Sequence, residues 1–155
     1  MALLDNSRVR VFRTRPSAKL PVRAHKTDAG MDFFYCPEEP TLLGVEPGQS
    51  VLLPTGIKME VPEGFMLQIM NKSGIASKRS LVTGACVVDE GYTGEIFVNL
   101  HNIGSETNFI ESGQKVAQGV FVKIEKPHLW EIKEDNIYGQ ETSRGIGALG
   151  STGDK

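Results

Sequence analysis

The chain has 155 residues, 39% hydrophobic and 23% charged, which suits one globular domain with its own core and leaves little room for a second. Its formal net charge of −2 gives no global attraction to nucleic acid or an anionic membrane, so stable binding to either is not expected. Cys36 and Cys86 belong to no C-x-x-C pair and His25, His101 and His128 are isolated, which argues against a disulfide framework and a structural metal.

The N-terminal "MALLDNSRVR" has no apolar stretch long enough for a signal peptide, and no run approaches membrane-spanning length. A soluble intracellular protein is expected, cytoplasmic or, in a eukaryote, also nuclear. Arg8, Arg10, Arg13, Arg15, Lys19, Arg23 and Lys26 meet only Asp5 before Asp28. Because "RVRVFR" alternates with the period of a half-buried strand, these charges read as a solvated strand face. Further strand-length runs follow: "SVLLP" (50–54), "GIKMEV" (56–61), "FMLQIM" (65–70), "ACVV" (85–88), "EIFVNLHN" (95–102), "KVAQGVFVKI" (115–124) and "HLWEIK" (128–133). Turn chemistry separates them, at "EPGQ", "PTG", "VPEG", "NIGSETN" and "ESGQ". Many short strands at this spacing predict an all-β sandwich or barrel.

One short helix is predicted at "SGIASKRSL", with Ser73 as its N-cap. In "GACVVDEGYTGEIFVNL" (84–100) a strand, a tight "DEGYTG" connection and a second strand predict a β-hairpin, with Gly91 and Gly94 available for positive φ. The glycine-rich stretch 141–155 buries too little to order itself and reads as a flexible C-terminal arm after a domain spanning 1–140. Its "GIGALG" matches G-x-G-x-x-G, but no βαβ unit surrounds it, so the dinucleotide reading is rejected.

Five segments, in order, resemble the motifs of the trimeric dUTP pyrophosphatases (dUTPases): "DAGMDFF" (28–34), "NKSGIASK" (71–78), "GACVVDEGYTGEI" (84–96), "GQKVAQ" (113–118) and "RGIGALGSTG" (144–153). The resemblance implies a jelly-roll, β-clip domain and a homotrimer with three active sites at subunit interfaces. It also implies Mg²⁺-assisted hydrolysis of dUTP to dUMP and pyrophosphate, which limits uracil incorporation into DNA and supplies dUMP for thymidylate synthesis.

It implies roles for particular residues as well. Asp89 would activate the water that attacks phosphorus, as an ionised carboxylate can. Backbone groups at Thr83, Val87 and Val88 would match the uracil edge, and Tyr92 would pack on the deoxyribose and exclude a 2′-hydroxyl. Lys72, Ser73 and Gly74 would meet phosphate at a helix start, with Gln118 facing the phosphates from the fourth motif. Asp32 and Gln118 would touch Mg²⁺ through water, the ion being held mainly by the phosphates. Arg144 would reach the γ-phosphate, while Leu149, Gly150 and Ser151, with Gly147 and Thr152, would close the arm over substrate.

Three positions depart from the family pattern. Lys72 stands where arginine is usual and loses the planar fork, Leu149 stands where an aromatic would stack on the base, and Cys86 stands where many relatives have glycine. The dCTP deaminases share the second and third motifs, but their catalytic glutamate, three residues before the asparagine matching Asn102, is here Asn99. An amide is no carboxylate acid or base. A nucleotide-gated binding module on the same scaffold is the remaining alternative.

Overall fold

The computed structural model describes residues 8–134, 137–140, 143 and 145. Among the described residues there are eleven strands and one helix: β1 (Val11–Arg13), β2 (Met31–Phe34), β3 (Leu42–Val45), β4 (Ser50–Pro54), β5 (Ile57–Met59), β6 (Phe65–Met70), α1 (Ser73–Arg79), β7 (Leu81–Thr83), β8 (Val87–Val88), β9 (Phe97–Asn102), β10 (Asn108–Glu111) and β11 (Lys115–Lys123). The all-β class with a single short helix is thus observed. Every pairing between these strands is antiparallel. The sheets are β2-β11-β6-β8, β4-β9-β7, β10-β3 and β1-β5.

The alternation seen in the sequence positions the core. On β9, Val98, Leu100 and Asn102 point inward while Phe97, Asn99 and His101 face outward, and β5 buries Ile57 and Met59 around exposed Lys58. Phe33, Leu53, Leu67, Ile69, Leu81, Ile96, Ile110 and Val116 complete an apolar interior. Asn102 is buried without penalty because its Nδ2 donates to the carbonyls of Val45 and Glu106 and its Oδ1 accepts the Gly104 N–H.

Several expectations are corrected. Ser73 is the first helical residue; Lys72 is the N-cap, in extended backbone, and no side chain caps the helix. Residues 84–100 do not form a simple hairpin. Thr83 pairs with Leu100, and β7 and β9 run together from there, while Val87 and Val88 cross to the edge of β6, opposite Gln68 and Leu67. The loop is long enough to leave its own partner, and the open β6 edge offers β8 a better one.

The described residues up to Glu125 and those from Lys126 onward fall into two compact units. The described residues of the second form no strand or α-helix, so the strand expected at 128–133 is absent there. No helix among the described residues is long and apolar enough to cross a membrane.

Candidate active site

The central sheet sets two of the candidate residues, Asp32 and Gln118, side by side, and a third, Lys72, reaches Asp32 from the N-cap of α1. Gln118 on β11 pairs with Asp32 on β2 and with Met70 on β6. Asp32 is buried, and its Oδ1 accepts a 2.7 Å hydrogen bond from Lys72 Nζ. Lys115 Nζ stands 2.7 Å from Oδ2, an ion pair whose angles fall short of a directed hydrogen bond. Burial alone would raise the pKa of Asp32, but the contacts and charges of Lys115 and Lys72 outweigh it and hold the carboxyl below its ordinary value.

A β-bulge makes this cluster. Lys115 and Gln118 are three residues apart and would project from opposite faces of a regular strand. Lys115 pairs with Phe34 and Ala117 with Phe33, so one extra residue is inserted between them. Lys115 is thereby turned to the face shared by Asp32 and Gln118, while Val116 and Ala117 are both buried.

Asn71 joins this row to the start of the loop. Its carbonyl accepts from Gln118 Nε2 at 2.9 Å, and its Oδ1 accepts from the Thr83 N–H at 2.7 Å and the Thr83 hydroxyl at 3.1 Å. The Thr83 N–H is therefore engaged within the chain, so of the backbone groups expected at Thr83 to match a base edge the N–H is not a free donor. Immediately after Lys72, Ser73 and Gly74 are exposed. The helical ladder begins with the N–H groups of Ile75 and Ala76 bonding the Lys72 carbonyl, so the N–H groups of Ser73 and Gly74 precede it.

The loop carrying Asp89 is pinned on both sides. On one side the Cys86 carbonyl accepts from Ile69 N–H at 2.7 Å, and β8 pairs with β6, leaving the far edge of β8 open among the described strands. On the other side Glu95 binds Arg15 through two nitrogens at 3.0 and 2.8 Å and accepts the Gly56 N–H at 2.7 Å. Between these anchors Asp89 is exposed, its carbonyl accepting from the Tyr92 N–H at 3.2 Å. Tyr92 donates its hydroxyl to the Glu95 carbonyl at 2.9 Å and borders a groove of about 530 Å³ with Val11, Phe12, Met59 and Val61. That groove includes none of Asp32, Lys72 or Gln118.

The structure thus gathers Asp32, Lys72 and Gln118, attaches Thr83 through Asn71, and places Val87, Val88, Asp89 and Tyr92 on the loop. Arg144, Gly147, Leu149, Gly150, Ser151 and Thr152 lie outside the described residues. Lys115 and Asn71 were missed although both sit inside quoted motifs. The bulge that turns Lys115 inward leaves no mark in "GQKVAQ", and an asparagine ending a strand has no distinctive pattern.

Asn99 holds the root of the loop. Its Oδ1 accepts from the Ala85 N–H at 3.1 Å and lies 3.0 Å from His101 Nε2, and its Nδ2 donates to Ser50 Oγ and the Val51 carbonyl. All of its amide is in use for structure.

Comparison with known proteins gives one consistent result. Residues 16–153 match the dUTPase family model. The chain is 40% identical to the deoxyuridine 5'-triphosphate nucleotidohydrolase of Alkaliphilus metalliredigens, over 95% of this chain and 98% of that one. It is 41% identical to the enzyme of that name from Clostridium novyi, over 92% and 96%. Among solved structures, a variant of the Staphylococcus bacteriophage 80alpha dUTPase with dUpNHpp superposes with a TM-score of 0.80 at 26% identity, covering 94% of this chain and 98% of that one. A variant dUTPase from phage phi11 of S. aureus, whose structure describes the coordination of a structural Mg(II) ion, gives 0.75 at 27% identity, covering 82% and 97%.

Proposed function

The chain belongs to the dUTPase family and is a dUTP diphosphatase, and we propose that Asp89 is its catalytic base. Asp89 orients a water for attack on the α-phosphorus and takes its proton. The new P–O bond forms as the bond to the bridging oxygen breaks, and pyrophosphate leaves dUMP behind. The observation that carries this reading is an exposed carboxylate on a loop fixed at both feet, in a chain that presents a glutamine on its central sheet and a lysine and free-standing N–H groups at the start of α1, all suited to phosphate.

Base recognition falls on the open edge of β8, at Val87 and Val88, since the Thr83 N–H already serves Asn71. Tyr92 supplies the wall against a ribose 2′-hydroxyl. Lys72, Ser73, Gly74 and Gln118 bind phosphate, and Arg144 with Leu149, Gly150 and Ser151 closes over the triphosphate. In this reading 141–155 acts as an arm on a domain of 1–140. The loop and the phosphate row are open surfaces of one chain, which supports sites completed by a neighbouring subunit in a homotrimer.

The donors also suit Mg²⁺ carried in by the substrate. Mg²⁺ keeps much of its water and prefers hard oxygens, and both Asp32 oxygens already face ammonium groups. Asp32 and Gln118 would therefore meet the ion through its waters. Among the described residues no group of three His, Cys, Asp or Glu side chains is placed to hold a metal directly. When bound, Mg²⁺ would neutralise phosphate charge. The cellular role proposed is cytoplasmic: keeping uracil out of DNA and supplying dUMP for thymidylate synthesis.

The test is a panel of dUTP, dCTP, dTTP and UTP with Mg²⁺, following pyrophosphate and identifying the nucleotide product, on wild type and Asp89→Asn. Release from dUTP alone, with the variant slower by about 100- to 10,000-fold yet still binding nucleotide, is expected. Deamination of dCTP would contradict the place given to Asn99. A wild type that binds dUTP but turns it over no faster than the variant would favour the binding module.

A further inference from the structure

Two ammonium groups share one buried carboxylate, and they differ in where they stand. Lys72 Nζ and Lys115 Nζ are each 2.7 Å from an oxygen of Asp32, whose side chain is only 7% exposed. Lys72 is the N-cap of α1, directly before the exposed Ser73 and Gly74. Lys115 comes from β11 by way of the bulge and meets the other oxygen of the carboxylate. A phosphate arriving at Ser73 and Gly74 thus meets a lysine whose charge is already taken. Drawing Lys72 away would leave a buried carboxylate exposed to the full cost of an unpaired charge unless a second cation stays behind.

We propose that Lys115 is a positioning residue for triphosphate binding: it stays on Asp32 so that Lys72 can swing from Asp32 to the phosphates. This rests on the phosphate-binding role given to Lys72 and adds the counter-ion that makes it workable. A lysine suits the exchange, because its ammonium is a point charge on a flexible stem and not a fork locked to one carboxylate. The bulge supports a built arrangement, since without it Lys115 would face away from Asp32.

Calorimetric binding of dUpNHpp with Mg²⁺, and of deoxyuridine as a ligand without phosphate, tests the idea on Lys115→Met and Lys115→Arg. Lys115→Met should weaken dUpNHpp about tenfold and leave deoxyuridine unchanged, and Lys115→Arg should restore wild-type binding. In an Asp32→Asn background, where no carboxylate charge needs holding, adding Lys115→Met should cost nothing further; this neutral pair also guards against misfolding of the single variant. Equal losses for both ligands would reveal a merely structural role and overturn the proposal. So would an unchanged affinity. A loss that persists when Lys115→Met is added to Asp32→Asn would also overturn it, because Lys115 would then be contacting phosphate directly. Because binding is read without turnover, a failure of Asp89→Asn to abolish hydrolysis would leave this result intact.

Discussion

Gln118 Oε1 occupies the space in which a side chain at Gly30 would begin: a Cβ there would lie 2.0 Å from that oxygen. The nitrogen of the same amide donates to the Asn71 carbonyl, so Gln118 cannot move aside without giving up a bond that ties β11 to the end of β6. Gly30→Ala should therefore displace the one residue of the row proposed to face both phosphate and the waters of Mg²⁺. A fall in kcat of about 10- to 100-fold is expected, with a melting temperature lowered only by the few degrees, roughly, that one lost hydrogen bond costs. Unchanged kinetics would remove Gln118 from the chemistry.

Tyr92 separates two contributions that are usually merged. Its hydroxyl bonds the Glu95 carbonyl, while its half-exposed ring is free to wall the sugar site. Tyr92→Phe loses one hydrogen bond, about 0.5–1.5 kcal/mol of stability, and should keep the preference for dUTP over UTP. Tyr92→Ala should lose that preference. Gly94→Ala should resemble the alanine variant, because its Cβ would stand 2.3 Å from the Tyr92 oxygen and drive the ring out. Ratios of kcat/KM for the two nucleotides decide the matter.

These side chains were legible in the sequence to different depths. Motif residues such as Asp32, Gln118 and Asp89 are singled out in the sequence by an order and spacing that match a family, and the strands on either side by the alternation of apolar residues. The route of residues 84–96 was not legible, since a two-residue strand carries no periodicity and its choice of β6 over β9 depends on which edge the fold leaves open. Lys115 was hidden for a similar reason: strand alternation gives the wrong face when a bulge intervenes. The cap of α1 was misassigned because serine is the commoner cap, whereas here Lys72 takes that position and spends its side chain on Asp32.

The depressed pKa of Asp32 fixes the direction of a pH effect. A carboxyl more acidic in the folded chain than its ordinary value of 3.8 contributes stability that is present above that value and is lost as pH falls through the folded pKa. Wild type in metal-free buffer should lose stability on acidification below the ordinary carboxylate range. Asp32→Asn should be less stable at neutral pH, where its lysines lack their anion, and show a shallower acid dependence. Denaturant midpoints across pH measure this, and parallel curves for the two proteins would contradict it.

Ser80 ends α1 at φ 52°, the positive-φ non-glycine among the described residues, and its N–H bonds the Ala76 carbonyl as the helix closes. A Cβ in this conformation costs about 1–2 kcal/mol, part of which is offset by chain entropy when glycine replaces it. Ser80→Gly should raise stability by about 0.5–1 kcal/mol, with catalysis unaltered. A lower melting temperature would show that the serine contributes a compensating contact.

Cys86 and Cys36 form an internal control for the location of the base site. Cys36 is buried, whereas Cys86 is half-buried, directly before the open-edged β8 and fixed there by the Ile69 N–H. A thiol-alkylating reagent should therefore label Cys86 first. If β8 reads the base, the added group obstructs the edge at Val87 and Val88, so activity should fall in step with labelling and bound dUTP should slow both. Peptide mapping identifies the modified thiol. Full activity after complete labelling of Cys86 alone would place the uracil away from β8 and return the question of base recognition to the β7 side of the loop.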